Sequence, residues 1–152
     1  MACFLLNNGF SGHFTISDLP NRIPGLLAQK RWRTFRGKVD IIGLDFFRDS
    51  LPSSEIVLLD SILADWNDDS CITLLRRIKK ILHLANGKLI VSEVTKFSES
   101  NHADIIGKLT LACAVSGRIR SQQEVEVMLR TAGYTQCQLV GSSRRRFTFV
   151  AS

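Results

Sequence analysis

The chain has 152 residues, 45% of them hydrophobic and 22% charged, which is the composition of one folded domain and excludes a disordered chain. Twenty basic against fourteen acidic residues give a formal charge of +6, a surplus that suits an anionic ligand or nucleic acid and that a solvated surface explains equally well. No run of about 18 apolar residues exists and Met1 to Leu6 lacks a basic flank, so neither a membrane span nor a signal peptide fits, and the cytoplasm is the default address.

Taken in chain order, apolar runs alternate with helical patterns. Phe14 to Ser17 (FTIS) predicts a strand, and Ile23 to Lys30 a helix, with Pro20 and Pro24 marking the turn into it. Val39 to Phe46 (VDIIGLDF) and Ile56 to Leu59 (IVLL) predict two more strands. Asp68 is the expected cap for an amphipathic helix from Ser70 to Leu84, in which Ile72, Leu75, Ile78, Ile81 and Leu82 share one face. Arg76, Arg77, Lys79 and Lys80 take the wet face. Asn86-Gly87 ends that helix, and Lys88 to Val94 (KLIVSEV) reads as a buried strand.

Asp104 to Val115 predicts a further helix, and Ser121 to Ala132 another, closed by Gly133, with Ser121 and Glu124 at capping-box spacing. Gln136 to Val140 and Arg146 to Val150 read as a closing hairpin around Gly141 to Ser143. Strands separated by helices predict an α/β fold: a mainly parallel sheet covered on both faces, with an antiparallel strand at its end. Ligands of such sheets lie beyond the carboxyl ends of the strands. Those ends carry Asp18, Asp45, the stretch Asp60 to Trp66, and Glu93. Asp18 there suits ribose hydroxyls, though a cap before Pro20 is the simpler reading of the residue taken alone.

Cys3, Cys71, Cys113 and Cys137 form no C-x-x-C pair and have no neighbouring histidines, so they read as reduced thiols, without a metal site or a disulfide framework. Between Arg22 and Lys38 six basic residues occur without an acid, beside Trp32 and Phe35. A solvated face is the simpler reading, since no nucleic-acid motif accompanies them.

Four ordered blocks carry a resemblance: Ser17-Asp18-Leu19-Pro20; Gly43-Leu44-Asp45-Phe46-Phe47-Arg48-Asp49-Ser50-Leu51-Pro52; Ala64-Asp65-Trp66-Asn67-Asp68-Asp69-Ser70-Cys71; and Gly87-Lys88-Leu89-Ile90-Val91-Ser92-Glu93. With Gly117 to Ser121 and Ala132-Gly133-Tyr134 they resemble the S-adenosylmethionine-dependent O-methyltransferases of the hydroxyindole and plant caffeate type. The similarity runs from Phe14 to Val150 and covers the later half of a family member. It implies a Rossmann-like class I methyltransferase sheet and S-adenosyl-L-methionine as cofactor. Asp18 would bind the ribose hydroxyls with Leu19 packed near it, Asp45 and Phe46 would hold the adenine, and Trp66 would wall the same pocket. Glu93 matches an acid that orients the catalytic base, and the acceptor would be a small, aromatic hydroxyl compound.

The resemblance also shows what departs from the family. The base is a histidine, and here that position is Ala64; His13, His83 and His102 lie outside the motif. Ile119 replaces a second orienting acid, and Asp60 stands where a lysine is common. A general base contributes about a hundredfold to ten-thousandfold, so Ala64 predicts a feeble enzyme. No G-x-G occurs, so the usual first strand, its glycine-rich loop and the dimerisation domain are expected to lie before Met1, making this a single truncated catalytic domain over residues 1–152. Ala2 to Leu6 cannot supply that strand as a parallel neighbour of Phe14 to Ser17, because a parallel crossover needs a dozen or so residues, roughly. Three outcomes are open: direct pairing of the flanking strands, a partner chain or second copy that completes the sheet, or a fragment. The functional readings are a divergent methyltransferase domain, a non-catalytic partner subunit that keeps the fold, and, more weakly, an anion or nucleic-acid binder through Arg22 to Lys38.

Overall fold

The computed structural model describes residues 6–35, 37–94, 117–143 and 145–152. The chain divides into two compact units, Met1–Ser50 and Leu51–Ser152.

In the first unit, β1 (Phe14–Asp18) and β2 (Val39–Gly43) pair in parallel, from Phe14 opposite Val39 to Asp18 opposite Gly43. A 3₁₀ turn over Pro20–Arg22, the short helix α1 (Ile23–Leu27) and a 3₁₀ stretch over Lys30–Phe35 connect them. The helix predicted to reach Lys30 stops at Leu27. Pro24 is tolerated in its first turn, Gly25 weakens it, and the Gln29 N–H returns to the Leu26 carbonyl in a tighter turn. Likewise β2 ends at Gly43 and not at Phe46. Asp45 donates its N–H to the Asp49 carboxylate at 2.8 Å and accepts that of Phe47 at 2.9 Å, which closes a turn where the alternating pattern predicted extended chain. Gly43 is needed at the strand end, since a Cβ there would stand 3.0 Å from the Pro20 Cα.

In the second unit, β3 (Ile56–Asp60), β4 (Lys88–Val94), β5 (Cys137–Ser142) and β6 (Arg146–Ala151) form one sheet in the order β3-β4-β6-β5. The β3 and β4 strands are parallel, and β6 runs antiparallel to both its neighbours. The β5 strand runs to Ser142, two residues past the predicted Val140, with a bulge between Leu139 and Gly141 and the Ser143 N–H donating to the Arg146 carbonyl at 2.7 Å.

Helix α2 (Asp68–Ala85) buries Cys71, Leu74, Leu75, Ile78 and Leu82, and helix α3 (Gln122–Thr131) buries Val125, Met128 and Leu129, joining Leu89, Val91, Phe147 and Phe149 of the sheet in the core. The cap of α2 is Asn67, not Asp68: its backbone is extended and its side chain accepts the Ser70 N–H at 2.9 Å, while Asp68 is drawn to two arginines. Asn86 ends α2 in the left-handed region at φ 49°. The predicted capping box is formed, with Glu124 N–H on Ser121 Oγ at 3.2 Å and Ser121 N–H on the Glu124 carboxylate at 2.7 Å.

The helix predicted over Asp104 to Val115, His102, and residues 2–5 of the Ala2 to Leu6 segment lie outside the described residues. Among the described residues β1 pairs with β2, and β3 pairs with β4. No described helix is long and apolar enough to cross a membrane.

Candidate functional site

Each unit carries its own group of candidate residues. In the first, Asp18 is the last residue of β1; its carboxylate accepts the Leu19 N–H at 2.8 Å, and its carbonyl accepts the Leu44 N–H at 2.8 Å. Its alternative reading as a cap is not realised, because the turn at Pro20 is preceded by Leu19 without a side-chain bond. One carboxylate oxygen of Asp18 keeps its lone pairs free among the described residues. Leu19 is exposed. Asp45 lies two residues past β2, bonded to Phe47 and 3.6 Å from Arg48 Nε, and the Phe46 ring sits 4.8 Å from that of Phe47.

The second unit centres on the chain that leaves β3. Ser61 adopts φ 58°, in the left-handed region, at a cost of about 1–2 kcal/mol for a residue with a Cβ. Its N–H donates to the Ser92 carbonyl at 2.8 Å. A 3₁₀ turn over Leu63–Asp65 follows, with Leu63 and Ala64 buried, and Trp66 returns the chain to extended geometry. Ala64 is therefore inside the fold.

Glu93, the penultimate residue of β4, is 3% exposed. Its Oε1 accepts the Leu63 N–H at 2.8 Å, and the amides of Ile62 and Ala64 also pull on its carboxylate. Burial nevertheless dominates and pushes this carboxyl above its ordinary range. On the carbonyl side of the same turn stands Arg120, its side chain 2% exposed. Its Nη1 donates to the Leu63 carbonyl at 2.6 Å and to the Arg118 carbonyl at 3.2 Å. Its Nη2 donates to the Trp66 carbonyl at 2.7 Å and to Asp68 at 2.6 Å, and its Nε to Asp68 at 2.8 Å. A guanidinium has five N–H groups, and all five are used. The Cys71 thiol adds bonds to the Leu63 and Trp66 carbonyls at 3.3 and 3.6 Å, and burial pushes it up to about 11.

Asp68 also bonds Arg118 at 3.0 Å, and hydrogen bonds from Arg120 and Arg118 hold its carboxyl below the usual range. Asp65 has the opposite tendency, raised by burial. Asp60 is ion-paired to Arg146, which also donates to the Ser92 carbonyl at 3.0 Å. The space beside Ala64, lined by Leu63, Glu93, Arg118, Arg120 and Val125, has no room for a water molecule. Gly117 packs directly on this turn, since a Cβ there would fall 2.0 Å from the Ala64 carbonyl oxygen. Reading the sequence named Glu93 and Trp66 as candidates and did not name Arg120, Arg118 or Arg146. Arg120 lies 52 positions from Asp68, and nothing local announces such a partner.

Among the described residues no group of side chains suits a metal ion. Residues 12–135 match the O-methyltransferase domain family. Norreticuline-7-O-methyltransferase of Papaver somniferum is 34% identical over 105 residues, 65% of this chain and 28% of that protein. Probable O-methyltransferase 3 of Humulus lupulus is 27% identical over 134 residues, 82% of this chain and 33% of that protein. Among solved structures, human N-acetylserotonin methyltransferase in complex with SAM matches with a TM-score of 0.74 and 22% identity, over 91% of this chain and 40% of that one. PigF with SAH matches with a TM-score of 0.79 and 21% identity, over 97% and 45%. The fold is that of these methyltransferases. The chain spans about a third of the length of the curated relatives it matches.

Proposed function

The chain belongs to the O-methyltransferase domain family, and from that membership we propose that it binds an S-adenosylmethionine-type cofactor and serves methyl transfer to a hydroxyl of a small aromatic acceptor. The observation that carries this reading is the Asp18 carboxylate, held at the carboxyl end of a parallel strand with lone pairs to spare. Two adjacent ribose hydroxyls are donors of the kind such a carboxylate accepts, so the residue fits the cofactor. Asp45 and Phe46 fit less directly: Asp45 already bonds Phe47, so Phe46 offers the adenine an aromatic face and Asp45 shapes the turn that presents it. Trp66, half-buried in the second unit and taken by itself, is an aromatic side chain of the kind that faces a cofactor in this reading.

When bound, the cofactor supplies the activated methyl group. The residues of this chain must then dispose of the acceptor's hydroxyl proton, and the position where the family has its base is a buried alanine. Among the described residues the partners of Glu93 are main-chain amides. Acceptors whose hydroxyl is already ionised, as in acidic phenols, escape that need. Turnover on neutral alcohols is accordingly proposed to be at least a hundredfold below that of a base-bearing relative.

A second reading, a non-catalytic partner subunit, is favoured by one observation: Ala64 is buried and the space beside it, among the described residues, has no room for a water molecule. In that reading β1 and β3, each paired on one side among the described residues, offer backbone groups to a further strand from a partner or second copy. Calorimetric titration of the folded chain with S-adenosylhomocysteine separates the readings. Micromolar affinity supports the cofactor reading, and no heat of binding by a chain that unfolds cooperatively overturns it. Light scattering at the same concentrations reports the association.

A further inference from the structure

We propose that Arg120 is a positioning residue that locks the Leu63–Trp66 turn and thereby fixes Trp66 for cofactor contact, a role that rests on the cofactor reading above. The turn starts from a strained residue, Ser61, and has little regular structure of its own, three residues of 3₁₀ helix. Its Leu63 amide and its Leu63 and Trp66 carbonyls each find a buried side-chain partner. The amide is satisfied by the buried Glu93 carboxylate and the carbonyls by the buried Arg120 guanidinium. One planar cation thus ties both ends of the turn, the Leu63 and Trp66 carbonyls, to Asp68 at the start of α2. A lysine has three donors on one atom and cannot span these points. Since the Trp66 carbonyl is one of the two tied groups, the indole's backbone is held at the strand ends by a side chain 54 positions away.

Two tryptophans occur in the chain, so Trp32→Phe leaves Trp66 as a single reporter. In that background Arg120→Met fills the buried volume without the charge, and Arg120→Lys keeps the charge without the fork. Both are compared with the parent at 10 °C, after far-UV circular dichroism has established the fold. Acrylamide quenching of Trp66 is expected to at least double in both, with a red-shifted emission and about tenfold weaker S-adenosylhomocysteine binding. Unchanged quenching and emission in folded Arg120→Met overturns the proposal, even if the melting temperature falls, because a merely structural role lowers stability without loosening Trp66. Should neither variant fold, Asp68→Ala removes two of the five bonds from the half-exposed side, and quenching must then rise by a smaller factor; no rise there overturns the proposal too. Failure of the parent to bind S-adenosylhomocysteine removes the cofactor reading alone, since the quenching result needs no ligand.

Discussion

The Glu93 carboxylate accepts the Leu63 backbone N–H at 2.8 Å, so an acid matched to a catalytic role is spent on the main chain of the turn that carries Ala64. Burial raises its pKa, so its charged form costs stability: the favourable contribution is complete below the unfolded value of about 4.3 and is lost as pH rises through the folded value. Glu93→Gln keeps an acceptor for the amide without the charge. Its unfolding free energy in urea at pH 7 is expected to lie within about 1 kcal/mol of the parent or above it, whereas Glu93→Ala loses about 2–3 kcal/mol by orphaning the amide. A Gln variant destabilised as much as the Ala variant would show that the charge itself holds the turn.

Asp68 has the opposite sign. Its pKa is lowered by Arg120 and Arg118, so its stabilisation is complete above the unfolded value of about 3.9 and is lost as pH falls through the folded one. Its side chain is half exposed, and solvent screening limits the ion pairs to about 1 kcal/mol. Urea unfolding of Asp68→Ala against the parent should show that gap at pH 7 and a smaller one at pH 3. A gap that widens on acidification contradicts the assignment.

Asp18→Ala is expected to weaken S-adenosylhomocysteine binding at least tenfold, about 1.4 kcal/mol, by removing the acceptor for ribose hydroxyls. Calorimetry with adenosine as a second titrant separates ribose contact from the rest of the ligand. Equal affinities for parent and variant would remove the ribose role.

Ala64→His restores the family's base in name, but the position is 6% exposed and the space beside it has no room for a water molecule. Overpacking is expected to cost about 1–3 kcal/mol, read as a lower melting temperature. Methyl transfer to a panel of phenols, followed with labelled cofactor, should rise by less than tenfold. A gain of about a hundredfold, the lower range for a working base, would mean the position is open to substrate.

Local signals made β4, α2 and the Ser121 capping box legible: an apolar run, an amphipathic repeat and a Ser to Glu spacing each act within a few residues. Competing local bonds hid two boundaries. The Asp45 to Asp49 bond ended β2 early, and Asn67, adjacent to two aspartates, took the cap that Asp68 was expected to fill. Ordered motif blocks marked Asp18, Trp66 and Glu93 as candidates, yet not that Glu93 would be consumed by main-chain amides. Arg120 was beyond reach, because a buried guanidinium is defined by partners brought together only when the core closes.

Cys71 lies between the two carbonyls that Arg120 ties, 1% exposed and with its thiol pushed up to about 11. At neutral pH it is both shielded and almost wholly un-ionised, so alkylating reagents reach it only when the turn lets go. The rate at which iodoacetamide marks Cys71, resolved by peptide mass from the half-exposed Cys137, is thus a stopwatch on opening events that leave the rest of the sheet intact.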